Sequence, residues 1–282
     1  MKITKIERQK KQSDRYSIYL DGEFAFGVHE AVLIHFALHK DQILSQDQLN
    51  HIKEVEYREK VYSRALHYLS FGLRSIKEMR DYLASQEWAT DTDEAILETQ
   101  QMVVSQELIE STLQRLCQQN YLNDLIYAQS YTRTMALINR KGPKLIAHEL
   151  KQKGLDQQTI SLALDEYSQV DQMANVTYLI DKYCQTKGKQ ATRLLKNKLY
   201  QHLLQKGYDK DQIKEGMDLA DFTIIEAQED DLLAKEAAKQ WQRLSRRQQG
   251  GLLRQKVTAS LMRKGFSYEA IQTWLNEQED GE

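Results

Sequence analysis

The chain has 282 residues, 41% apolar and 28% charged, with a net charge of −2. This balance excludes general disorder, and it excludes a polycation that attracts nucleic acid over its whole surface. One proline and 12 glycines leave few helix breakers, which favours an all-helical body, either one elongated form or two to three small units.

The start, Met1 to Lys11, is charged and lacks the apolar run of a signal peptide. The longest apolar stretch, Val28 to Leu38, is interrupted by His29, Glu30 and His35 and is about half a membrane span. A cytoplasmic location with no membrane partner is expected. Cys117 and Cys184 lie far apart, form no metal or redox motif, and read as reduced structural thiols.

Arg15 to Val28 (RYSIYLDGEFAFGV) predicts a β-hairpin. Ile18 and Leu20 alternate before Asp21-Gly22, and Phe24, Phe26 and Val28 alternate after it. An Asp-Gly pair suits a type I′ turn, which needs positive φ twice. Ile3 to Glu7 is a candidate third strand. A sheet this small needs outside support, expected from a helix around Ala31 to Leu38. Ser45 with Gln48 has capping-box spacing for a helix beginning near Gln46.

From Lys60 onward helical periodicity dominates, and it repeats. Ile146–Leu164, Leu199–Met217 and Val257–Leu275 align without gaps around Gly154, Gly207 and Gly265. Four residues before each glycine stands Leu150, Leu203 or Leu261. One residue after it stands Leu155, Tyr208 or Phe266, and six after it Ile160, Ile213 or Ile271. A glycine in the left-handed conformation ends a helix and brings the flanking apolar pair into contact. Asp156, Asp209 and Ser267 then serve as N-caps for the next helix, and Lys153, Lys206 and Lys264 suit the negative end of the finishing one. A further helix precedes each copy, at roughly Asn123–Ile138, Asp171–Gln185 and Asp231–Leu244. A degenerate earlier copy has Leu83 in the leucine slot, Glu87 in place of the glycine and Trp88 in the apolar slot, followed by a polar stretch from Thr90 to Gln101. A helix is expected from Ser105 to Gln119.

The expected fold class is therefore mainly α: tandem three-helix repeats in an elongated curved array, with a small N-terminal antiparallel sheet. The expected divisions are 1–58 for the β-hairpin and helix cap, 59–120 for the degenerate first repeat, and 121–170, 171–229 and 230–282 for the rest.

Charge is sorted along these repeats. Arg133–Gly154 holds six bases and one acid, Lys182–Lys210 eight and one, and Lys239–Lys264 eight and none. The segments between are acidic, with five acids and no base in Asp156–Asp181 and nine acids against two bases in Asp211–Glu236. Positive charge concentrates at the connections between the first two helices of a repeat. Stacked regularly, these form a basic track suited to phosphates or to an acidic protein groove. The candidate binding residues are Arg133, Arg140, Lys141, Lys144, Lys187, Lys189, Arg193, Arg243, Arg246, Arg247 and Arg254. Ordinary solvated surface charge is the alternative for any one of them.

The stretch Asn120–Leu150 carries a recognisable pattern: Leu122-Asn123-Asp124, Tyr127-Ala128 with Tyr131, Lys141-Gly142-Pro143 and Leu150, continued by Gly154-Leu155. Together with Leu73-Arg74-Ser75 and Leu83, it resembles the RecX family, over nearly the whole chain. The polar stretch after Trp88 departs from the family spacing. The resemblance implies tandem three-helix repeats without a catalytic centre. It also implies binding to the RecA filament on single-stranded DNA, with restraint of recombinase activity. Leu122, Asn123, Tyr127 and Tyr131 read as structural, with Asn123 or Asp124 capping the next helix.

No phosphate-binding glycine loop is present, and His35 and His39 lack the glutamate of a zinc-protease motif. No metal, cofactor or catalytic residue is assigned, and a monomeric binding protein, not an enzyme, is expected. Glu229-Asp230-Asp231 suits a helix start. Three functional readings stay open: a regulator of a protein–DNA filament, an independent salt-dependent binder of single- or double-stranded DNA, and a metal-dependent nuclease using a carboxylate such as Asp230. A helical adaptor would leave the charge sorting unexplained.

Overall fold

The computed structural model describes residues 1–10, 13–86 and 104–279. Glu87, Trp88 and the polar stretch to Gln101 lie outside the described residues. The chain divides into two compact units, Met1–Ala128 with Gln152–Thr159, and Gln129–Lys151 with Ile160–Glu282.

In the first unit, strands β1 (Ile3–Arg8), β2 (Arg15–Leu20) and β3 (Glu23–His29) form an antiparallel sheet in that order. Asp21 and Gly22 both have positive φ, 51° and 100°, and Leu20 pairs directly with Glu23, as the hairpin reading requires. The register then shifts between Ile18 and Tyr19. This bulge separates Phe24 from Phe26: Phe26 is buried, while Phe24 is exposed and meets the edge of Tyr19.

Helix α1 (Glu30–His35) is shorter than expected. It closes at Ala37, whose φ is 46°: Leu38 N–H donates to Leu33 O and Ala37 N–H to Ile34 O. This is the Schellman arrangement without its usual glycine.

Helix α2 (Gln46–Leu69) carries the expected capping box from Ser45 and Gln48. It runs unbroken across residue 58 and serves two cores. Leu49 and Ile52 pack under the sheet with Ile3, Ile18 and Val28. Val61, Tyr62 and Ala65 pack with α3 (Ile76–Ser85) and α4 (Gln106–Gln118) through Met79, Leu83, Leu113 and Leu116. Beside the sheet, Glu56 accepts a hydrogen bond from His29 N–H at 2.6 Å and lies 2.9 Å from Arg15, so one buried carboxylate fixes the helix to two strands.

Three further triplets follow: α5 (Asp124–Leu137), α6 (Pro143–Gln152) and α7 (Gln157–Leu164), then α8 (Gln169–Lys187), α9 (Thr192–Gln205) and α10 (Lys210–Leu219), then α12 (Glu229–Ser245), α13 (Gly250–Arg263) and α14 (Tyr268–Glu279). A short helix, α11 (Thr223–Ala227), precedes the last triplet, and Asp221 caps its start through Thr223 N–H. The repeat leucines Leu150, Leu203 and Leu261 are fully buried. The repeat glycines have φ of 88°, 93° and 96°. At Gly207 and Gly265 the Schellman bonds are present: Tyr208 N–H donates to Leu203 O, and Phe266 N–H to Leu261 O.

The glycines have a second task. A Cβ on Gly207 would overlap Leu145 at the start of α6, one on Gly265 would overlap Leu194 at the start of α9, and one on Gly154 would overlap Lys77 at the start of α3. Thus the end of the second helix in one repeat abuts the start of the second helix in the repeat before it. Lys206 O accepts from Gly142 N–H at 2.7 Å, and Gly207 O from Lys144 N–H at 3.1 Å. Carbonyls left over at one helix end therefore satisfy amides left over at another. The same joint occurs once in the first unit, where Lys153 O accepts from Ser75 Oγ at 2.8 Å.

Acidic residues complete the joint. Asp124, at the start of α5, accepts from Ile76 N–H at the start of α3, and Glu229, at the start of α12, accepts from Thr192 N–H and its hydroxyl at the start of α9. Asn123 caps its own helix through Leu125 and Ile126 N–H. The two neighbours therefore divide the capping between two repeats.

Candidate functional site

The candidate cations stand mostly at the connections between first and second helices, and the structure gives them different surroundings. At the α5–α6 connection the charge is tied into the protein. The Arg140 guanidinium lies 3.7 Å from the Tyr178 ring centroid and donates to Asn175 Oδ1. The Arg140 carbonyl accepts from the Tyr208 hydroxyl at 3.0 Å. Asn175 also donates to Ala136 O and to the Tyr167 hydroxyl, which lies 3.3 Å from that of Tyr208. Arg140 holds φ at 49°, a conformation that costs a non-glycine residue about 1–2 kcal/mol, and this network holds it there. Burial pushes the Tyr208 hydroxyl well above the usual tyrosine range, with the Tyr167 hydrogen bond adding to it. It acts as a donor at all ordinary pH.

Neighbouring cations are similarly occupied. Lys141 pairs with Glu149 at 2.5 Å, and Tyr131 donates to the other oxygen of that carboxylate. Lys144 pairs with Asp209. Arg133 grips Glu166 with two hydrogen bonds, at 2.7 and 3.1 Å, which holds the carboxyl below its usual range. Arg243 donates to Gln240 and Arg254 to Asn276.

The α8–α9 and α12–α13 connections differ. Lys187, Lys189 and Arg193 are exposed, as are Arg246 and Arg247. Among the described residues none of these five side chains has a hydrogen-bond or ion-pair partner. Here the positive charge remains available to a ligand. Among the described residues a Cβ on Gly250 or Gly251, beside the second group, would meet nothing within 4 Å, so this connection is also sterically open.

Beside the α8–α9 connection lies an open groove of about 370 Å³, lined by Tyr183, Asn197, Lys198, Gln201, His202 and Gln205. The Tyr183 and His202 rings lie 5.4 Å apart at a 35° tilt. Burial, with help from Lys206, lowers the His202 pKa and favours the neutral ring. Sequence reading missed this groove, because its residues come from two helices and no single spacing displays them.

Among the described residues no group of three or more His, Cys, Asp and Glu side chains could hold a metal ion, and no helix is long and apolar enough to cross a membrane. The Glu229-Asp230-Asp231 cluster forms the first turn of α12, and Glu229 is committed to capping α9.

A three-strand sheet followed by three-helix repeats, joined glycine turn to helix start, defines a tandem helical-repeat protein whose exposed chemistry sits on its connections. Known proteins share this whole plan. The model of the regulatory protein RecX N-terminal domain matches residues 1–45. The first and second RecX three-helix domains match 62–98 and 123–164, and the third matches twice, at 170–217 and 228–275. The regulatory protein RecX of Listeria monocytogenes serotype 4a (strain HCC23) is 36% identical over 99% of this chain and 97% of its own. That of Limosilactobacillus reuteri (strain DSM 20016) is 36% identical over 99% and 98%. A solved structure described as regulatory protein RecX superposes with a TM-score of 0.61 at 34% identity, covering 77% of this chain and 98% of that one. The chain belongs to the RecX family of regulatory proteins.

Proposed function

We propose that this chain modulates the RecA recombinase, chiefly by inhibition, by binding the RecA filament on single-stranded DNA, and so regulates recombination and DNA repair. It acts as a monomeric, cytoplasmic binding protein with no catalytic centre, metal or cofactor of its own. The observation that carries this reading is the set of five cations at two corresponding connections whose side chains have no partner among the described residues. The regulatory name of its relatives points to a RecA-related partner. Unpaired cations on a repeat array supply salt-dependent attraction to phosphate or to an acidic protein surface, and the acidic helices between them limit indiscriminate coating of DNA.

A second reading, an independent DNA binder, is favoured by the same exposed cations. Titrating RecA ATPase on single-stranded DNA separates the two. The wild type is expected to inhibit below one molecule per RecA. A variant with Lys187, Lys189, Arg193, Arg246 and Arg247 all changed to Gln is expected to require roughly tenfold more protein. No effect on RecA at saturating protein, with DNA binding intact, would leave the independent binder standing.

A further inference from the structure

We propose that the groove between α8 and α9 is a subsite for an unpaired nucleobase, so that this repeat recognises single-stranded nucleic acid by stacking as well as by charge. The inference rests on the reading of the α8–α9 connection as a phosphate-binding edge and deepens it.

Three observations converge on this groove. Its lining includes two half-buried rings, Tyr183 and His202, inclined at 35° with 5.4 Å between centroids. An inclined aromatic pair at a groove wall offers a π-face to a base, and such stacking tolerates any sequence. Its rim carries the amides of Asn197, Gln201 and Gln205. An amide side chain both donates and accepts, so it can pair with a base edge in either sense. Asn197, Gln201 and Gln205 are all exposed and stand on one helix at spacings of four, so they line one face.

Charge gives the third observation. None of the six lining residues is a carboxylate, and Lys198 is among them. The surrounding segment Lys182–Lys210 holds eight bases, and its one acid, Asp209, is paired with Lys144. Lys187 and Lys189 stand at the connection, and their exposed side chains have no partner among the described residues. Lys187 stands one turn beyond Tyr183 on α8, so a phosphate held there would leave its base beside the groove, whereas a duplex keeps its bases paired and stacked inward. The occupant is therefore a single strand.

The test uses the full-length protein and three fluorescent probes: a short oligothymidylate, an abasic deoxyribose-phosphate strand of equal length, and a duplex. The wild type is expected to bind the oligothymidylate roughly tenfold more tightly than the abasic strand, the size expected of one stacked base. Tyr183→Leu and Asn197→Glu should each abolish that preference. Asn197 is exposed, so its variant leaves the core intact if Tyr183→Leu unfolds the repeat. Lys187→Gln with Lys189→Gln should instead reduce the salt dependence and weaken both single strands alike. Equal affinity for oligothymidylate and abasic strand, or a preference for duplex, overturns the base subsite while leaving the basic edge in place. Binding to none of the probes overturns both.

Discussion

The α5–α6 and α8–α9 connections occupy the same place in successive repeats, and both are rich in cations, yet their charges have opposite fates. Arg140, Lys141 and Lys144 are consumed by Asn175, Tyr178, Glu149 and Asp209. Among the described residues the ammonium groups of Lys187 and Lys189 have no hydrogen-bond or ion-pair partner. The difference comes from neighbours supplied by distant sequence. Asn175 and Tyr178 stand on the next repeat's first helix, where they receive Arg140. A cluster of positive residues thus reports where charge is concentrated, but availability depends on what the fold brings opposite.

The comparison can be broken at its mechanical base first. Gly207→Ala should have the largest effect, because it adds left-handed strain and overlap with Leu145 to the joint beneath the α5–α6 connection. A loss of about 3 kcal/mol is expected in denaturant unfolding. A loss no larger than that of Gly22→Ala, at a turn with open space around it, would show that close approach is unimportant.

Arg140→Ala comes next, with an expected loss of about 2 kcal/mol in thermal unfolding, since it strips the partner from buried Asn175. Changing Lys187 and Lys189 to Gln should alter stability by less than about 0.5 kcal/mol while weakening the proposed inhibition of the RecA filament. If the two sets of substitutions act alike, the division between tied and available charge fails.

Acid should loosen the joints gradually. Burial opposes ionisation of Glu78, but Lys153 and the Ser75 N–H outweigh it, and the carboxyl lies below its ordinary range. The hydrogen bond from Lys264, again outweighing burial, does the same for Glu236. A carboxyl lowered on folding stabilises fully above its unfolded pKa and loses that contribution as pH falls through its folded pKa. Stability should therefore decline below about pH 4.5, less steeply in Glu78→Gln, as read from melting temperature against pH. A small effect of opposite sign is expected at Ala37→Gly, a gain of about 0.5 kcal/mol in denaturant unfolding from relief of positive φ, partly offset by a more flexible unfolded chain.

Much of the fold was legible because its signals are local. The hairpin turn at Asp21-Gly22, the Ser45 capping box and the three repeat glycines each act within a few residues. The features missed depend on partners far along the chain. Ala37 closes α1 without the glycine that would announce it, and the bulge at β3 exposes Phe24. Gly142 fits against Gly207, and Asp124 caps a helix 48 positions earlier. For the candidate interface, sequence located the cations but could not separate Arg140 from Lys187, and it gave no hint of the Tyr183–His202 groove.

Each joint also has a direction, which matters at the last repeat. The starts of α3, α6 and α9 are each received by a following glycine turn, whereas among the described residues a Cβ on Gly250 or Gly251, at the start of α13, would meet nothing within 4 Å, and no side chain caps this helix. In a chain of nearest-neighbour couplings, the terminal member is held from one side only. The amides of the first turn of α13 should exchange with deuterium sooner than those of α9, and opening should begin at this uncovered helix start and travel back toward α8.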